Sequence, residues 1–344
     1  MKPHAETINS PRTTRGRRPA VVTACLAIAC LVAVIVSIGL GDIRISPIEV
    51  VKSIFGQGSP ADMLVVQQLR LPRITVAMLV GASLAASGAM LQGMTRNPLA
   101  SPEMMGITGG ATVAAVAFLT FSAGTISIRY LPFAALAGAA AVSLLVYLLA
   151  WKKGISPIRL ITVGVGIASL TSAMTTAMIV FSPINDPSQA FLWITGSVYG
   201  SNWENVATLL PWTAILLPAS YLFHRTINVQ QLGDEISIAL GSSLQWSRLL
   251  ILLSSVALAG SAVSVAGGIG FVGLIAPHMA RKLVGSRFEH MFPVSALLGA
   301  ILVVLADLVG RTVFLPRDVP AGVFTAAIGA PFFIYLLYAS RKVK

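Results

Sequence analysis

Ten apolar runs, each about the length of a membrane crossing, divide this chain and leave little room for anything else. Their cores lie at about 19–40, 72–94, 104–122, 130–150, 158–181, 204–223, 247–267, 271–285, 292–310 and 320–338. A spanning helix needs roughly 20 predominantly apolar residues. Within lipid the backbone must satisfy its own hydrogen bonds, so runs of this length are expected as helices. The expected fold is therefore all-α and polytopic, with a single transmembrane domain over residues 19–340 behind a basic tail, 1–18. Only 10% of the 344 residues are charged, against about 25% in a soluble domain. The first run is too long for a signal-peptide core and many more follow, so it reads as an uncleaved span. Cys25 and Cys30 in that run are too poorly aligned along one helix to form a bridge, and both read as packing residues.

A net charge of +12 raises the question of nucleic acid, but the cations sit in short clusters between apolar runs rather than on one face. They read as topology signals. With both termini cytoplasmic, most of the 24 Lys and Arg fall on inner segments; the outer ones are Arg44, Lys52, Arg70, Arg73, Arg129, Arg311 and Arg317. Topology gives no reason for Arg70, Arg73 and Arg311 at the outer mouth. They read either as interfacial snorkelling residues or as a basic rim for an acidic partner. Asp307 lies in an apolar run four residues before Arg311, which predicts an intramembrane ion pair between them.

Several activities are excluded by what the chain lacks. No G-x-x-x-x-G-K-[ST] occurs, so no P-loop is expected and any ATP must be hydrolysed by another chain. Gly268 to Gly273 fits G-x-G-x-x-G, yet it joins two apolar runs rather than a strand and a helix, so no dinucleotide site is expected. The four histidines stand apart, so no metal site and no cofactor is expected. No cluster of His, Asp, Glu or Cys suggests an enzyme. Ion-coupled transporters bury ionisable residues along their path, and Asp307 is almost alone here. The candidate path is weakly polar: Thr162, Ser169, Ser172 and Thr176 in the fifth run, which could equally serve close helix packing.

Arg70-Leu71-Pro72-Arg73, Gly81 to Ala85, Gln92, Arg96-Asn97-Pro98-Leu99-Ala100, Gly270 to Leu274, Pro277-His278, Ala306-Asp307, Arg311, Val319 to Val323 and Gly329 to Phe332 occur in order. This pattern resembles the FecCD family of ABC-importer permeases for iron–siderophores, haem and cobalamin, over nearly the whole chain from about residue 40. The resemblance implies a ten-helix permease that pairs with a second permease, either a copy of itself or a sister chain. It implies two ATP-binding subunits inside and a substrate-binding protein outside, docked on Arg70, Arg73 and Arg311. Gln92, Asn97, Pro98, Pro277 and His278 are the family-pattern residues. The segment at about 229–243, with Leu232, Gly233, Asp234, Glu235, Ala239, Leu240 and Gly241, is expected to be the coupling helix that meets the ATPase. An iron(III)–siderophore is the expected cargo, in a bacterial cytoplasmic membrane; haem or cobalamin, or a secondary transporter of another class, are the alternatives.

Overall fold

The computed structural model describes residues 17–121, 126–152, 154–181 and 188–341. Helix α1 runs Arg17–Gly39; short helices α2 (Pro47–Ile54) and α3 (Pro60–Leu64) follow, and a π-helical turn, Val65–Arg70, leads directly into α4, Leu71–Thr95. Then come α5 (Ile107–Phe121), α6 (Leu131–Ala150), α7 (Pro157–Val180), the short α8 (Ser188–Thr195) and α9 (Trp203–Tyr221). Two short helices, α10 (His224–Gln230) and α11 (Asp234–Ala239), precede α12 (Leu244–Ala266), α13 (Val272–Val284), α14 (Phe288–Thr312) and α15 (Ala321–Arg341). No sheet occurs among the described residues, only an isolated bridge between Trp151 and Ile155.

The ten apolar runs correspond to α1, α4, α5, α6, α7, α9, α12, α13, α14 and α15. Six of them (α1, α4, α6, α7, α12 and α14) are long and apolar enough to cross a membrane unaided, and α9 joins α10 across a 53° bend. Five short helices have no counterpart among the apolar runs: α2, the α3 turn that extends α4 backwards, α8, α10 and α11. Each is too short or too polar to register as an apolar run. The basic tail, 1–16, lies outside the described residues.

α4 is the hub. It packs against α14, α12, α13 and α9, and Val76, Met90 and Leu91 are fully enclosed. Lipid tails are as apolar as leucine, so helices here associate through close packing and interhelical hydrogen bonds rather than through hydrophobic exclusion. Glycine makes that packing possible. A Cβ on Gly81 would collide with the backbone of Gly299 in α14, and one on Gly88 with the carbonyl of Gly273 in α13. Hydroxyl pairs add hydrogen bonds between helices: Ser87 Oγ lies 2.7 Å from Ser255 Oγ, and Ser83 Oγ lies 3.2 Å from Thr213 Oγ1. Of the two free cysteines, Cys30 is buried and packs, whereas Cys25 faces outward from the bundle.

Candidate functional site: two ion-pair clusters joined by one helix

Charged side chains gather at the two ends of α4. At its first turn, Arg73 donates to Asp307 of α14 and to Asp318 beyond it, both at 2.7 Å. The Asp307 side chain is only 2% exposed, so it requires its partner: a lone buried carboxylate would cost several kcal/mol. The Arg73 guanidinium also lies over the Tyr199 ring, 5.4 Å from its centroid. Arg70 donates to the carbonyls of Ile38 and Ile43, each at 2.6 Å. Arg311 donates to the Ser37 carbonyl and, at 2.8 Å, to Ser37 Oγ. These last two arginines close the open carbonyls at the end of α1, where no intrahelical donor remains.

This arrangement differs from the free basic rim that residue order suggested. Arg70 and Arg311 are buried and fastened to backbone, and Arg73 already holds two carboxylates. Asp307 lies 3.5 Å from Arg311 Nε but takes its short hydrogen bonds from Arg73. The helical spacing of 307 and 311 gives neighbouring side chains; the better partner comes from another helix, which spacing alone cannot reveal. Arg44 and Arg317 are exposed at this end, and the cluster borders a recess of about 560 Å3 lined also by Asp42 and Tyr199.

At the other end of α4, Arg96 adopts a left-handed conformation (φ 54°) as the helix stops. Its guanidinium reaches Asp234 of α11 at 2.7 Å, and Arg248 of α12 reaches the same carboxylate at 2.8 Å. Arg248 is 2% exposed and donates further to the Ile155 carbonyl at 2.9 Å. Gly233 (φ 118°) and Gly241 (φ 78°) bracket α11, conformations that favour glycine. Ser237 fastens the inner side of α11 through Gly233 and Val229 carbonyls. The outer side presents Leu232, Ile236, Ile238 and Leu240, all exposed, beside exposed Glu235 and Ala239. An apolar knob of this kind, clamped from behind by ion pairs, is a surface suited to a partner.

Between the clusters, Gln92 donates weakly to the carbonyls of Gly273 and Leu274 and accepts from Arg281 at 3.0 Å, tying α4 to α13. Asn97 accepts from the Leu99 N–H at 2.9 Å, an Asx turn that starts the loop before Pro98. Pro277 is buried inside α13, and the His278 ring meets Phe332 edge-on at 5.5 Å. The G-x-G-x-x-G stretch is the connection between α12 and α13. Glu103 accepts from the Phe271 N–H at 2.8 Å and so caps α13. Along α7, Thr162, Ser169, Ser172 and Thr176 are all exposed; three of them return their hydroxyl protons to carbonyls one turn back. α7 is thus a spanning helix with a mildly polar face that none of the described residues covers.

Residue order alone did not point to Asp318, Ser37, Arg248 or the isoleucines of α11. Asp318 and Ser37 lack any local pattern. The alternation of Ile236 and Ile238 with Ser237 was a usable signal for a half-exposed turn.

The fold and these clusters define a multi-pass membrane transport subunit. Residues 29–339 match the model of the FecCD transport family, and the chain belongs to that family. YfhA of Bacillus subtilis (strain 168), assigned as a siderophore transport system permease protein, is 53% identical over 90% of this chain and 91% of its own length. CbrC of Dickeya dadantii (strain 3937), the achromobactin transport system permease protein, is 49% identical over 92% of this chain and 91% of its own. A solved inward-facing ABC transporter of the metal-chelate type superposes with a TM-score of 0.84 at 30% identity, covering 93% of this chain and 99% of the other. The chain is thus a permease, a transport subunit without an ATPase site of its own.

Proposed function

We propose that this permease carries an iron(III)–siderophore chelate across a bacterial cytoplasmic membrane, driven by ATP hydrolysis in two partner subunits and supplied by an extracytoplasmic binding protein. The observation that carries this reading is the clamp on Asp234. A helix with an apolar outer side is tied by Arg96 to α4 and by Arg248 to α12, so a force applied at α11 is delivered directly to the central helices. That is the connection a permease needs when the ATP site lies in another chain. The names of the relatives supply the cargo class.

The remaining assignments belong to the same proposal. The α11 end is cytosolic, and with it both termini; Leu232, Gly233, Asp234, Glu235, Ala239, Leu240 and Gly241 form the coupling surface. The mildly polar face of α7 meets a second permease, and the path with Thr162, Ser169, Ser172 and Thr176 runs between the two. A face on which three of the four hydroxyl protons are already engaged passes a large chelate without binding it tightly. The binding protein docks over Arg70, Arg73 and Arg311. Exposed Arg44 and Arg317 steer it, and a carboxylate of the binding protein competes with the half-exposed Asp318 for Arg73, a bidentate exchange that fixes register.

Uptake into proteoliposomes holding this permease, its ATPase and its binding protein tests the reading. Ferric siderophore should enter only with ATP on the ATPase side, and a protonophore should leave the rate unchanged. Uptake that stops with the protonophore while ATP is maintained would overturn it.

A further inference from the structure

A recess of about 850 Å3 opens at the α11 end of α1, within the roughly 300–1,000 Å3 range of ligand pockets. Arg18 in the first turn of α1, Arg281 and Lys282 in the last turn of α13, and Ser286, Arg287 and His290 beyond it line the recess. No Asp or Glu does. The nearest carboxylate in sequence, Glu289, interacts electrostatically with Arg287 and His290 but takes its hydrogen bond from Asn228 Nδ2, at 2.6 Å. Arg281 is occupied by Gln92, and Lys282 has only the Tyr335 ring, 5.6 Å away. Among the described residues, the side chains of Arg18, Arg287 and His290 make no hydrogen bond or ion pair.

The neighbouring basic recess is different. That one, about 580 Å3, is lined by Arg96, Lys152, Arg159 and Arg248. Its arginines have their donors engaged: Arg96 and Arg248 share the single carboxylate of Asp234, and Arg159 donates to the Ala150 carbonyl. At the α1 recess the side chains of Arg18 and Arg287 keep unused donors, and the four Lys and Arg that line it outnumber the one carboxylate nearby, Glu289. Cations gathered in excess of counter-charge repel one another, and an anion relieves that cost. The flank of the recess indicates which anion. From Arg18, α1 continues as a helix whose outward side chains Val21, Ile28, Leu31 and Val32 are all more than half exposed. Phosphate at the recess and acyl chain along that apolar flank are the two halves of one molecule.

We propose that this recess binds the phosphate of an anionic phospholipid, with Arg18, Lys282 and Arg287 as the cationic donors and Ser286 as a hydroxyl donor. Juxtamembrane cations are drawn to anionic headgroups, and basic pockets between spanning helices hold them. The site rests on the proposed function only for the leaflet concerned. A two-leaflet nanodisc removes that dependence, so failure of import and failure of this site are told apart.

The experiment places the full-length chain in phosphatidylcholine nanodiscs carrying a minor fraction of phosphatidylglycerol, and counts phosphatidylglycerol retained after detergent extraction by native mass spectrometry. Retention above phosphatidylcholine is expected. The Arg18→Gln, Lys282→Gln, Arg287→Gln triple variant should lower apparent affinity about fivefold per charge, about a hundredfold together. Arg287→Gln alone, with Arg287→Lys restoring binding, serves if the triple variant does not fold. Lys152→Gln, in the other recess, should change nothing; an equal loss there would mean diffuse surface attraction and overturn the site. Thermal stabilisation by inorganic phosphate equal to that by phosphatidylglycerol would make the occupant a soluble anion. Loss of retained lipid when ATPase subunits bind would assign the recess to them. Either result overturns the proposal.

Discussion

Arg73 and Asp307, far apart in sequence, meet at 2.7 Å and join the first turn of α4 to the last turns of α14. The same helix ends at Arg96, which holds the carboxylate of α11. α4 has 25 residues, so at about 1.5 Å per residue it is a rod of nearly 40 Å with an ion-pair cluster at each tip. A displacement at one tip reaches the other through a single helix, closely packed along its length. The alternating-access movement of an importer needs such a part.

The two carboxylates on Arg73 should differ in their effect on stability. Asp307→Asn leaves Arg73 and the buried Arg311 short of counter-charge and should destabilise the purified chain by about 3 kcal/mol. Asp318→Asn, at a side chain 24% exposed, should cost about 1 kcal/mol or less. Thermal unfolding in detergent reads the difference, and equal shifts would show that burial does not set the hierarchy.

The clamp and the knob at α11 should separate under mutation. Asp234→Asn weakens both charge-assisted bonds, each worth about 1.5–3 kcal/mol, and should reduce chelate imported per ATP about tenfold while hydrolysis continues. Leu240→Asp, on the exposed side, should abolish ATPase binding with a stability change within about 0.5 kcal/mol. Pull-down of the ATPase alongside the uptake ratio checks both.

Glycine contacts give a sharp contrast. Gly88→Leu forces a side chain into the backbone of Gly273 and should cost about 3 kcal/mol or prevent folding. Gly166, in α7, has open space where a Cβ would sit, with nothing within 4 Å of it, so Gly166→Ala should be neutral or stabilising by up to about 1 kcal/mol. Expression yield and unfolding temperature in parallel distinguish the two.

The proposed docking of a binding protein is best probed at the exposed arginines. Arg44→Glu with Arg317→Glu should slow association about tenfold at low salt and flatten its salt dependence, leaving unfolding temperature unchanged. Reversal of Arg70 or Arg311 should instead unfasten α1, because both are buried against its terminal carbonyls. Binding kinetics at two ionic strengths, set beside thermal unfolding, separate these effects.

Residue order by itself determined where the long helices lie and nearly where they end, because a membrane core tolerates only backbone that bonds to itself and only side chains that need no water. It also marked Asp307 as requiring a partner. What the tertiary structure decided is which charge answers which. Arg73 rather than Arg311 became the principal partner of Asp307, Arg248 joined Arg96 on Asp234, and Arg70 turned from an apparent free cation into a cap for α1. Hydropathy is a local property, written in every run of about 20 residues. Ion pairing depends on which helix tips are brought within hydrogen-bonding distance, and that is settled only when α4, α12 and α14 pack together.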